Sequence, residues 1–130
     1  MHEEYYELWE SADRATREVA DAAMRRFVDT YVERRSKDRW RELLAKRNEK
    51  LFRHAHKLEA ALDLKFCKQV EPEGIPSGVG VFYGFFDEPL LISSADAVTL
   101  GRERDAVFVL PKCGVLFSHE DRVWLCRRKA

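Results

Sequence analysis

From Tyr5 onward the apolar side chains recur at intervals of three and four. Tyr5, Trp9, Ala12, Thr16, Val19, Ala23, Phe27 and Tyr31 share one face at 100° per residue, and Trp40, Leu44, Leu51, Ala55, Leu58 and Leu62 share another. This is the period of amphipathic helices. Acid-before-base pairs four residues apart, such as Glu10–Arg14, Asp21–Arg25, Glu42–Lys46 and Glu49–Arg53, support the same reading. An unbroken helix through this half would be roughly 95 Å long, against a radius of gyration of ~14 Å for a domain of this size. The best break is Arg34–Asp38, where Ser36 or Asp38 could cap a second helix. An antiparallel hairpin is favoured over one long bent helix that buries its apolar face in a dimer.

Past residue 71 the pattern changes. All four prolines and all six glycines fall between Pro72 and Gly114, and punctuation of that density marks short strands and turns. Strands are expected at Val79–Phe86, Leu90–Ser93, Ala106–Leu110, Gly114–Ser118 and Arg122–Arg127, with Pro111–Gly114 as a turn. Ser94–Leu100 fits either a helical turn capped by Ser94 and ending at Gly101, or a strand. Gly80 and Gly84 share a face with Phe82 and Phe86, and a glycine-bearing face invites close approach by a helix. The expected fold is α+β: an N-terminal long helical hairpin (residues 1–68) packed on a C-terminal antiparallel β-meander of four to six strands (residues 72–130), in a single domain.

Composition supports one folded domain. The chain has 130 residues, 45% of them apolar, enough for one core without disulfides or metal. No apolar run approaches the ~18 residues of a membrane span. Met1–Tyr6 has neither a basic nor an apolar stretch of the secretory kind, so a cytoplasmic location and free thiols are expected.

Chemistry-bearing patterns are weak. Gly78–Gly84 superficially suggests a dinucleotide loop, but its glycines lie inside a strand with no helix following. His54 and His56 diverge on a helix, whereas His56, Glu59 and Asp63 share a face without a histidine on the facing helix to complete a metal site. His119 stands beside Ser118, Glu120 and Asp121 without a loop to bind an oxyanion. No catalytic residue, metal site or cofactor is therefore expected. A final hairpin turning about His119–Glu120 would set Cys113 opposite Cys126, a possible thiol pair.

Charge is the most informative feature. The chain carries 23 basic and 23 acidic side chains, yet the balance is −5 over Met1–Glu33, +7 over Arg34–Lys57 and −2 over Leu58–Ala130. On a helical wheel Arg35, Arg39, Lys46, Lys50, Arg53 and Lys57 form a single-sign stripe opposite the apolar face. Such a stripe suits an acidic protein surface, or less well a phosphate backbone, since no aromatic residue lies within it to stack on bases. Val28 and Val32 lie to one side of the first helix's core stripe, and with Trp40 near the turn they are expected to form a self-association patch in a homodimer. The expected function is a protein-interaction module of adaptor, inhibitor or immunity-protein type that occludes an acidic partner through the basic helix. Nonspecific nucleic-acid binding and a small enzyme with an unrecognised site are the alternatives.

Overall fold

A computed structural model describes residues 3–44, 53–84, 88–102 and 105–128. Its centre is a seven-stranded antiparallel sheet in the order β1-β4-β3-β5-β6-β7-β2. The strands are β1 (Asp13–Arg14), β2 (Cys67–Gln69), β3 (Val79–Gly84), β4 (Leu90–Ser93), β5 (Ala106–Leu110), β6 (Gly114–His119) and β7 (Arg122–Cys126). The helices are α1 (Glu3–Ser11), α2 (Arg17–Tyr31), α3 (Lys37–Leu44), α4 (Ala55–Ala60) and α5 (Ser94–Gly101). The α+β class stands as expected.

Among the described residues the first half does not clearly show the long helical hairpin. Residues 3–44 hold α1, β1, α2, a 3₁₀ turn at Arg34–Ser36 and α3 in succession. Thr16, placed on the apolar stripe by spacing, instead caps α2: its hydroxyl accepts from the Val19 amide at 3.2 Å. Just before it, Asp13 and Arg14 leave the helix to pair with Leu91 and Leu90 at the sheet edge. At its other end α2 stops at Tyr31, within three residues of the expected break. The chain bridges from Val32 to Leu62, and the Tyr31 carbonyl accepts from the Asp63 amide at 2.8 Å, which satisfies one of the helix's terminal acceptors. Lys37 donates its Nζ to the Asp29 carbonyl at 2.6 Å.

Helices cover both faces of the sheet. On one face α2, α3 and α4 bring Phe27, Val28, Trp40, Leu58 and Leu62 onto Val81, Tyr83, Val107, Val109, Val115 and Phe117. On the other, α1 and α5 bring Trp9, Ala97 and Leu100 onto Phe82, Phe108, Leu116 and Leu125, with Val70 and Ile75 completing the cover. Burial on both faces is why β5 is an unbroken apolar run, buried from Ala106 to Leu110, rather than an alternating one.

The second half is not a plain meander. β4 and β5 both pair with β3 and flank it, so they run parallel to one another, and α5 makes the crossover between them. Ser93, one residue earlier than expected, caps α5 by accepting from the Asp96 amide at 3.2 Å. Gly80 answers a close approach from within the sheet rather than from a helix, since a Cβ there would collide with the Val109 carbonyl. At Gly101 a Cβ would lie 2.8 Å from Ser118 Oγ, so glycine lets the end of α5 settle on β6.

Candidate functional site

One end of the sheet opens into a cleft of about 620 Å³, within the ~300–1,000 Å³ range of ligand pockets. Four chain segments build it. The β5–β6 turn supplies Pro111, Lys112 and Cys113; the end of α2 supplies Arg26, Thr30 and Tyr31. Leu64–Lys68 leads into and forms β2, and Arg127–Arg128 leaves β7. The turn is held by the Cys113 amide donating to the Leu110 carbonyl at 3.2 Å, with Pro111 leading and Lys112 at φ 67°, the combination of a type II turn. The Arg127 amide donates to the Phe66 carbonyl at 2.9 Å, which joins the two basic strand ends.

The lining is of one sign. Among the described residues its charged members are Arg26, Lys65, Lys68, Lys112, Arg127 and Arg128, with no carboxylate or histidine. Val109, Leu110, Val115, Tyr31 and Phe66 give it apolar and aromatic walls. The Tyr31 and Phe66 rings meet edge to face at 6.4 Å, and the Arg128 guanidinium lies 5.6 Å from the Phe66 ring centre, a cation–π contact. Burial raises the Tyr31 phenol above its ordinary range, opposed by a hydrogen bond from the Arg128 backbone. The phenol therefore stays protonated through neutral pH, and the cleft sets the lysine and arginine donors against apolar walls.

The residues singled out by sequence are distributed otherwise. The described members of the basic stripe do not lie on one helix. Arg35 lies in the 3₁₀ turn, Arg39 on α3, Arg53 ahead of α4 and Lys57 on it, while Lys46 and Lys50 fall outside the described residues. Arg35 pairs with Glu33 at 3.4 Å. Arg39, Arg53 and Lys57 are exposed, and all three, after burial, help hold the His54 imidazole below its ordinary pKa, so they share one positive neighbourhood. The expected self-association patch is internal: Val28 is 0% exposed, Val32 1% and Trp40 2%. Their side chains complete the core between α2, α3 and the sheet, and the ground for expecting a homodimer goes with them.

The thiol register also differs. Glu120 and Asp121, with φ 46° and 64°, form the β6–β7 turn, one residue later than a turn about His119–Glu120. Val115 therefore faces Cys126, and Cys113 lies in the β5–β6 turn away from it. The residue directly opposite Cys126 on its other side is Cys67 of β2, which no pattern in the sequence marked.

A second polar cluster occupies the opposite end of β6, under α4. Glu59 accepts both arms of Arg122 at 2.8 Å and the Trp124 indole N–H at 2.8 Å. Burial alone would raise the Glu59 carboxyl, but the donors Arg122 and Trp124 outweigh it and hold the carboxyl below its ordinary range. His119 Nδ1 lies 3.0 Å from Asp105 Oδ1. Its Nε2 is buried without a hydrogen-bond partner among the described residues. Alternation along β6 turns Ser118 to the other face, against Gly101, so Ser118 and His119 do not meet as nucleophile and base. Glu59 is engaged with β7, and α4 ends at Ala60 before Asp63. His56, Glu59 and Asp63 therefore do not share a helix face, and no group of three metal-ligating side chains assembles among the described residues.

Comparison with protein-family models, curated proteins and solved structures finds no match, so no residue's role is carried over from a relative. Among the described residues no helix is long and apolar enough to cross a membrane.

Proposed function

We propose that the protein is a non-catalytic interaction module that binds an acidic segment of a partner protein, with the cleft at the β5–β6 turn as its recognition site. The observation that carries this reading is the lining of that cleft: among the described residues six cations and no carboxylate, set around aromatic and aliphatic walls. A site of that kind attracts a chain of carboxylates and gives an accompanying apolar side chain somewhere to bury. The exposed Arg39, Arg53 and Lys57 form a second positive neighbourhood, around His54, that helps steer an acidic partner toward the protein. The mechanism in this reading is occlusion or scaffolding.

Fluorescence anisotropy with a labelled Asp/Glu-rich peptide carrying one aromatic residue tests this. Binding is expected to weaken at least tenfold in Lys65→Glu/Lys112→Glu/Arg127→Glu and to weaken with salt, as screening over ~10 Å requires. Equal binding by wild type and triple variant would refute the site. Duplex DNA is the competitor: if it displaces the peptide with a steep salt slope, phosphates are the target instead.

A further inference from the structure

Cys67 and Cys126 stand directly opposite one another on β2 and β7. The Arg127 amide donates to the Phe66 carbonyl and the Val70 amide to Val123. Those bonds put 66/127 and 70/123 in hydrogen-bonded positions and leave 67/126 as a non-hydrogen-bonded pair. Such partners lie about 4.5 Å apart at Cα with their side chains close, inside the roughly 4.4–6.8 Å span of disulfides. Cys67 Sγ reaches the Tyr31 carbonyl at 3.8 Å. Both are buried, Cys67 at 3% and Cys126 at 0% exposure, but they differ in their access to the cleft. Cys67 is part of the cleft lining and Cys126 is not.

We propose that Cys67 and Cys126 are a redox pair that exchanges with a small anionic disulfide of the glutathione disulfide class, admitted through the basic cleft. Two exchanges complete the reaction. Cys67 loses its proton to solvent and its sulfur attacks one sulfur of the small disulfide. A mixed disulfide forms, and the expelled thiolate takes up a proton. Cys126 then loses its proton and attacks the Cys67 sulfur of the mixed disulfide; the Cys67–Cys126 bond forms and the second small thiol leaves protonated. Two electrons pass from the protein to the small disulfide, and no other reactant is consumed.

The cleft supplies the selectivity. Its cations draw in the carboxylates of the oxidant, and Cys67 is the sulfur of the pair met there. The neighbouring Cys67 thiol, and after it burial, pushes the Cys126 thiol up, which slows closure. The product would fasten β2, an edge strand of three residues, to β7 and fix one wall of the cleft. Cys113 also lines the cleft but has no cysteine opposite it, and serves as an internal control.

The selectivity rests on the cleft reading, whereas the bond itself rests only on the register of β2 and β7. The test separates them. Full-length reduced protein is incubated for hours with glutathione disulfide, and separately with uncharged hydroxyethyl disulfide, then alkylated, digested and mapped by mass spectrometry. A linked Cys67–Cys126 peptide is expected with both reagents, and Cys126→Ala is expected to hold the mixed disulfide on Cys67. Lys65→Glu/Lys112→Glu, checked by near-ultraviolet circular dichroism for an intact fold, should slow oxidation by glutathione disulfide several-fold and leave the uncharged reagent's rate unchanged. Cys67 and Cys126 both remaining alkylatable with either reagent, or any link through Cys113, would overturn the pair. A linked pair whose rate with glutathione disulfide ignores the charge reversal overturns the electrostatic route. Loss of acidic-peptide binding alone, with oxidation as expected, counts against the proposed function and not against the pair.

Discussion

Glu59 joins α4 to β7, and its removal should cost the fold a calculable amount. Its side chain is 16% exposed, and Arg122's is 37% exposed. Three donated hydrogen bonds end on this carboxylate, and bonds to a charged group contribute about 1.5–3 kcal/mol each. The full sum overstates the loss, because Arg122 is exposed enough to find water once its partner is gone. What cannot be recovered is the Trp124 indole N–H and part of the ion pair, so Glu59→Ala should cost about 2–3 kcal/mol. Glu59→Gln keeps an acceptor for Trp124 and loses the charge, a cost of about 1 kcal/mol. For a chain of 130 residues, 1 kcal/mol corresponds to roughly 4 °C in Tm, so the alanine variant should melt roughly 8–12 °C lower. The sign of the pH dependence follows from the lowered carboxyl pKa. A carboxyl group held below its unfolded value contributes stability above that value, about 4.3, and loses it as pH falls through the folded pKa. The gap between wild type and Glu59→Gln should be full at pH 7 and close below about pH 4. Urea unfolding followed by tryptophan fluorescence measures it. A gap that stays constant into acid, or an alanine variant within 0.5 kcal/mol of wild type, the scatter expected of ordinary surface changes, would refute the reasoning.

Three further perturbations test the packing. Glu120→Asn/Asp121→Gly should raise stability by about 1 kcal/mol, because both positions hold positive φ in a two-residue hairpin loop that favours Asn-Gly; thermal unfolding reads the rise. Gly101→Ala drives a Cβ to 2.8 Å from Ser118 Oγ and should cost about 1–3 kcal/mol by overpacking, with Ser118→Ala restoring part of the loss in a double-mutant cycle. Trp40→Ala, at 2% exposure, should cost about 3–5 kcal/mol as a core cavity and leave the light-scattering mass of the folded protein unchanged; a lower oligomeric state would return Trp40 to an interface.

What could be read in the sequence, and what could not, follows from the range over which each feature is decided. Leu90–Ser93 and Ala106–Leu110 are bounded by prolines, glycines or charges within a few residues, and their spans agree with the expectation to the residue. β1 and β2, two and three residues long, are too short to show alternation; they exist because β4 and β7 offer them free edges. Thr16 illustrates a different failure. The 100° pattern runs unbroken through it, although α1 packs on one face of the sheet and α2 on the other. Periodicity reports that each helix has an apolar side and is silent on whether two sides meet the same core.

The cleft was hidden by the same nonlocality. Arg26 belongs to a segment of balance −5, and Lys65, Lys68, Lys112, Arg127 and Arg128 to one of −2, so neither looks basic. They converge because β2 pairs with β7, β7 with β6 and β6 with β5, which brings chain ends from residues 64–68, 110–115 and 127–128 to one end of the sheet. The stripe between Arg34 and Lys57 carried the largest local charge and was divided by helix breaks. Charge summed along the chain measures what neighbours in sequence share. Recognition depends on the charge that a sheet's register gathers at one place, and here the two differ in sign.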